Sequence, residues 1–574
     1  MCALPRLIIA QCLLTALWSI STAAARDLVL SVQWPAAQSQ APASGRLLIM
    51  FAPVTVAPDD DVRRLLTPMT DAIAFFGHNI SSWRPGTLQQ ISLFDSGFPY
   101  ARLADLPRGT YRVQASFEPY LSYRRADGHE LYLPAIEPLE PPDRASPTRT
   151  PHRWRSTAEI VHWDGQQVPG TLVMNNPIAH SATAADTPWI RSLRIRSERL
   201  SAFWGRDIFL GALITLPAGY AEHSKVHYPL VVRLSGLPRR PPDWREAPPD
   251  EGLSITSGEW KAQQAGWENF QYWQASNTPR MIIADLQHPT PYGESSMVIN
   301  SLNSGPYADA IRYELLPAIE KEFRVLQGGW ARFIFGAREG AWSALAWQIR
   351  HPQDFNGAFA ACPDAIDFRH FGAVNLQQDD NALFDIGPHL QVPRPARRTK
   401  TGRATALLAD VMQWEKALAD QSRSQEIWDR WEAAFSPVDQ DGYPQRIWHR
   451  VSGAIDGDVA EHWYQEHDLL GLVHRLPPAS IEPLRGKLRI RIGDRDEYFM
   501  DNAVRSFEAS IRQQYPELEL SVDYGRDTSA CWTGRHDLSV EAARQRHLQD
   551  ILPWALERLL KHAPEGASAQ AWRY

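Results

Sequence analysis

At 574 residues, with 44% hydrophobic and 22% charged side chains, the chain has the composition of a folded protein of three or four units at roughly 150 residues each. That composition excludes a disordered chain. The formal net charge of -7 excludes a nucleic-acid binder, which needs a concentrated basic face, and four cysteines in this length exclude a disulfide scaffold. The 22 tryptophans are read mainly as large core side chains.

Residues 1–25 predict a cleaved signal peptide. Arg6 precedes an apolar run from Leu7 to Trp18, and Ala23-Ala24-Ala25 supplies a small-residue cleavage site. The run is short for a bilayer span, and Gln11 before Cys12 argues against a lipid anchor. The expected destination is outside the cytoplasm, periplasmic or extracellular, with no membrane span in the mature chain. Cleavage removes Cys2 and Cys12 and leaves Cys362 and Cys531, for which one disulfide and two buried thiols both fit.

Residues 26–133 read as an all-β, sandwich-like domain. Leu28–Val32, Arg46–Phe51 and Tyr111–Phe117 are short runs of strand formers separated by turn residues. Phe117, Tyr120 and Tyr123 lie close together there, as core residues or as an aromatic binding strip. Residues 134–194 read as a linker or surface arm, opening on six prolines between Pro134 and Pro151.

Residues 195–565 alternate strands and helices, which predicts an α/β domain with a mostly parallel sheet. The strands expected are Tyr228–Leu234, Arg280–Asp285, Ala331–Phe335, Lys487–Ile492 and Leu518–Val522. The helices expected are Ala308–Phe323, Gly340–His351 and Val540–His562. Residues 376–480, Trp-rich and helical, interrupt this pattern as a cap. Within them Arg394, Arg397, Arg398, Lys400 and Arg403 read as a solvated basic loop. Asp439, Asp441 and Gly442 start like a calcium loop that lacks its distal Glu, and His462 and His467 are five apart rather than the helical four. No metal or cofactor is expected.

The informative segment is Phe335-Gly336-Ala337-Arg338-Glu339-Gly340-Ala341-Trp342. A strand, a tight small-residue turn and a helix follow in direct succession, the setting of a Gly-x-Ser-x-Gly nucleophile elbow. The apex here is Arg338.

Residues 195–562 resemble the exported bacterial members of the putative esterase family, α/β-hydrolases related to esterase D and the enterochelin esterases. The resemblance rests on Ser201-Ala202-Phe203-Trp204-Gly205-Arg206, on Gln287-His288-Pro289-Thr290-Pro291-Tyr292, and on Asn300 to Ala310. Cys362-Pro363-Asp364-Ala365-Ile366-Asp367-Phe368-Arg369 adds to them. It implies an α/β-hydrolase fold with a helical cap insertion behind the β domain. The family elbow looks like Gly-Gly-Ser-Thr-Gly-Gly-Trp, so Gly336, Gly340 and Trp342 match and the serine falls on Arg338. The resemblance also implies that Asp496, with Asp494 in reserve, stands where the triad carboxylate sits. The histidine position falls on Asp527 or Ala530, with His536 the nearest candidate. Glu339 would offer one oxyanion N–H and an ion-pair carboxylate, and the Gly236-Leu237 turn the second donor.

An arginine cannot replace the serine, because its guanidinium stays protonated and is no nucleophile. With the histidine position also altered, the reading is an impaired esterase homologue that binds a small-molecule ester or carboxylate, the latter through the Arg338 fork. The competing reading of Arg338 is internal pairing with Asp496 or Glu339. Two alternatives stand beside the impaired esterase. One is an active ester or acyl hydrolase with an unconventional nucleophile, Ser343 or a water at His536 or His288. The other is a non-catalytic envelope interaction protein working through the β domain. No nucleic-acid partner is expected, and the oligomeric state is not legible.

Overall fold

The computed structural model describes residues 28–36, 42–56, 62, 73–136, 153–166, 170–178, 185–238, 240–241, 244–529, 531–532, 547–567 and 571–574. The expected signal peptide, 1–25, and His536 lie outside the described residues.

The first domain is a β-sandwich. One layer orders β10 (Thr171–Val173), β1 (Leu28–Gln33) and β4 (Leu88–Ser92). The other orders β11 (Asn176–Ile178), β8 (Arg153–Arg155), β6 (Gly109–Arg124), β2 (Ala43–Pro53), β3 (Ala74–Trp83) and β5 (Ser96–Phe98), with β7 (Glu130–Pro134) and β9 (Glu159–Trp163) also on β6. Trp34, Trp83 and Phe117 meet edge-on or tilted between the layers, with ring centroids 5.1–5.7 Å apart. Phe117 and Tyr123 are buried core residues, so the aromatic strip is packing rather than an exposed surface.

The linker expected over 134–194 requires correction, since β8 to β11 belong to the sandwich and bury Trp154, Trp163 and Leu172 in its core. Three of these four strands are only three residues long, too short for side-chain alternation to register in a sequence.

The second domain is built on an eight-stranded sheet. Its order is β12 (Ile190–Ser197), β13 (Ile208–Thr215), β15 (Ile282–Gln287), β14 (Leu230–Leu234), β16 (Arg332–Ala337), β17 (Gly357–Ala361), β18 (Leu488–Gly493) and β19 (Ser521–Gly525). β13 is antiparallel to both neighbours and the pairs from β15 to β19 are parallel. β14 and β15 are buried throughout, as strands covered on both faces must be. This sheet order, with one antiparallel second strand and helical crossovers, is the α/β-hydrolase sheet, and the strand-to-helix elbow leaves the C-terminal end of central β16.

The cap carries α2 (Leu408–Leu418), α3 (Ile427–Phe435), α4 (Gly457–His467) and α5 (Leu469–Arg475). α2 joins the cap to the sandwich. Its Trp414 and Ala417 pack with Met50, Phe75 and Phe98 of the β domain. Arg46, on β2, donates to the otherwise unpaired C-terminal carbonyls of α2: Nε to Leu418 O (2.9 Å) and Nη2 to Ala417 O (2.7 Å). Gly77 allows this approach, since a Cβ there would collide with Arg46 and Ala417 O. The sandwich therefore buttresses the helix that walls the site.

Candidate active-site cavity

The elbow keeps its backbone requirements. Arg338 sits at φ 54° and ψ -123°, a strained setting for a non-glycine residue, directly before α1 (Glu339–Arg350). A Cβ on Gly336 would strike the Gly340 backbone, and one on Gly340 would strike Leu234 O, so both positions admit only glycine. Arg338 N donates to Ala361 O (3.1 Å), and Ala341 N and Trp342 N donate to Arg338 O. Glu339 N and Gly340 N open the first turn of α1, where helix N–H groups lack intrahelical acceptors. Ser343 Oγ turns back to donate to Glu339 O (2.8 Å), buried within the helix and away from the apex.

The Arg338 guanidinium is engaged. It donates through Nη1 to Asp496 Oδ2 and through Nη2 to Glu497 Oε1, both at 3.2 Å, and lies 4.9 Å over the Tyr498 ring. Asp496 is fully buried, and its Oδ1 accepts from Tyr498 N (2.9 Å). Burial pushes its carboxyl up while Arg338 pulls it down. Glu497 is shared with Arg397, which reaches it at 2.8 Å through Nε. Arg398 donates to Asp496 O (2.9 Å) and Asp501 (2.7 Å), and Lys400 pairs with Asp527.

The basic run is thus a hairpin, Pro395–Arg398 against Ala404–Leu407, clamped on the acidic loop after β18. The run stays exposed at Arg397, Lys400 and Arg403, as a solvated loop should, but Arg397, Arg398 and Lys400 pair with carboxylates about a hundred residues downstream, which no local pattern records, and Arg394 with Asp379.

Among the other expected site residues, Glu339 pairs with Arg430 of the cap (3.2 Å) rather than with Arg338. Gly236, at φ 75°, lines the cavity, and Leu237 beside it is buried. Asp494 Oδ1 accepts from Thr528 N (3.2 Å) in a turn. Asp527 is half-exposed, with Lys400 at 3.1 Å and Arg495 at 3.3 Å. His288 is buried elsewhere, its Nδ1 accepting from Ser296 N (3.1 Å), and burial holds it down at about 4. Among the described residues, no histidine lines the cavity.

The cavity itself measures about 640 Å³. Phe335, Phe371, Trp428, Trp431 and Met500 supply apolar walls, with Val411 and Trp414 from α2. Arg338 and Arg397 line one part, and Asp364, Glu339, Glu426 and Arg430 line another. Sequence reasoning did not single out Asp364, Arg430 or Glu426. A signal for Asp364 existed: it follows the C-terminal end of β17, where sheets of this kind hold ligands. Cys362 and Cys531 form a disulfide, with Cα atoms 5.4 Å apart, which settles the open choice between bridge and thiols. The bridge ties the end of β17, two residues before Asp364, to the segment after β19.

Residues 210–466 match the family model described as "Putative esterase". Solved structures similar to the chain include a ferulic acid esterase, 14% identical, with 64% of this chain and 97% of that one covered and a TM-score of 0.35. They also include an S-formylglutathione hydrolase from Agrobacterium tumefaciens (13% identity, 65% and 98% covered, TM-score 0.32). A third is FphF, a fluorophosphonate-binding serine hydrolase of Staphylococcus aureus (13% identity, 64% and 97% covered, TM-score 0.33). No curated protein matches the chain. The family match over residues 210–466 and the sheet order with its elbow agree: the second domain has the α/β-hydrolase fold and is similar to this esterase family.

Proposed function

We propose that this protein is an exported, non-hydrolytic esterase homologue that keeps the family cavity as a binding site for a small molecule. The observation that carries the reading is the Arg338–Asp496 ion pair at the apex of the elbow. In a serine hydrolase an imidazole stands between nucleophile and carboxylate, taking a proton from the first while held by the second. Here one guanidinium spans that distance. It cannot attack a carbonyl, it cannot accept a proton, and it neutralises the carboxylate that would orient a histidine.

The buried, inward-turned Ser343 supplies no substitute nucleophile. The burial of Phe117 and Tyr123 removes the aromatic support for an interaction protein working through the β domain. The signal-like N-terminus and the Cys362–Cys531 bridge support export, because such bridges persist in oxidising compartments. Among the described residues no helix is long and apolar enough to cross a membrane.

Fluorophosphonate labelling of the purified protein tests the reading. The account expects no covalent adduct by intact-mass measurement. An adduct on any serine lining the cavity would show a working nucleophile and overturn it.

A further inference from the structure

The charges lining the cavity do not balance. Arg338 and Arg397 are neutralised by Asp496 and Glu497, and Arg233 by Asp285 across the adjacent strand. Glu415 accepts from Trp428 N (3.0 Å) and Asp429 N (3.1 Å) and has Arg450 at 3.8 Å. What remains is Arg430 among Glu339, Asp364 and Glu426. Burial disfavours the Arg430 cation, yet Glu339, Glu426 and Asp364 outweigh it and raise its pKa. One cation cannot neutralise three carboxylates.

Two acceptor atoms there lack donors, and the buried Arg430 Nε lacks an acceptor. Asp364, only 8% exposed, has no hydrogen-bond partner at Oδ2. Glu339 Oε2 faces Arg430 at 3.2 Å without a hydrogen bond. Burial, and then the neighbouring Glu339, pushes the Asp364 carboxyl up to about 7, as expected of an uncompensated charge. Once ionised, above about pH 7, the Asp364 carboxylate can only accept, so the group that complements its free oxygen must donate. The walls beside it are aromatic: Trp428 and Trp431 meet at 4.6 Å and Phe371 and Trp431 at 4.7 Å, and the faces of such rings attract cations.

We propose that the cavity binds an organic ammonium, an apolar molecule carrying one protonated amine whose N–H groups donate to Asp364 and Glu339. This rests on the reading that the cavity binds rather than hydrolyses. It departs from the carboxylate expected at Arg338, whose fork Asp496 and Glu497 already occupy. The volume of about 640 Å³ suits a ligand of that size.

The test is isothermal titration of the full-length protein with phenylbutylamine, phenylbutanol and phenylbutyrate, which share a body and differ in charge. The amine should bind about tenfold more tightly than the alcohol, and the carboxylate least. In Asp364→Asn and Glu339→Gln the preference for amine over alcohol should fall toward unity while the affinity for the alcohol holds. The wild-type series decides the matter even where a variant fails to fold. Equal or tighter binding of the alcohol or the carboxylate, or no binding of the amine, overturns the proposal. Turnover of an activated ester would instead overturn the non-hydrolytic reading, so the two fail separately.

Discussion

At the Asp496 end of the cavity the charges are closed on one another. Arg338 and Arg397 meet Asp496 and Glu497, backbone N–H groups hold Asp496, and Arg398 locks the loop from outside. At the Asp364 end Arg430 stands against three carboxyl groups, and two of their oxygens have no donor. The first cluster has the form of a structural lock, since a buried ion pair survives only with its remaining hydrogen bonds satisfied. The second has the form of a site awaiting a complement. The position that carries the nucleophile in a hydrolase has joined the lock, while a carboxylate a few residues beyond the neighbouring strand holds the open chemistry.

Four variants break or sharpen this contrast. Asp496→Ala strips Arg338 of its buried partner and leaves Tyr498 N without its acceptor, and should cost about 3 kcal/mol in chemical denaturation. Arg46→Ala, remote from both clusters, frees the α2 carbonyls and loosens the wall they share. It should cost about 2 kcal/mol and speed proteolysis within the cap.

Asp364→Asn should act through pH. The native carboxyl titrates at about 7 against an ordinary value near 3.8, so between those values the native state holds a proton that the unfolded chain has lost. Wild-type stability should therefore fall as pH rises through that window, and Asp364→Asn should flatten the fall. Asp527→Ala should change least. Its pairing with Lys400 and Arg495 is at the surface, and the melting temperature should stay within experimental error.

Much of this frame was legible in the sequence because the central strands are long apolar runs. The expected strand at Ala331–Phe335 is found at Arg332–Ala337, and the helix expected from Gly340 begins at Glu339. The elbow could be read from Gly336 and Gly340 alone, since the collisions that forbid a side chain there are local. The last strand was misplaced by three residues because Pro516–Leu518 wind into a turn and Glu519 adopts a left-handed backbone, φ 50°. The partners of the charged groups were legible only where they lie near in sequence or motif. Arg338 with Asp496 could be anticipated. Glu339 with Arg430 and Arg397 with Glu497 could not, because each pair meets only once the cap has folded over the sheet.

The most direct test of the central claim is hydrolysis of an activated ester by the wild-type protein beside Arg338→Ser and the double variant Arg338→Ser with Asp527→His. The account predicts no wild-type turnover above the uncatalysed rate, with activity appearing first in the double variant. Wild-type turnover above the uncatalysed rate would contradict it, because the Arg338–Asp496 pair would then not silence the elbow.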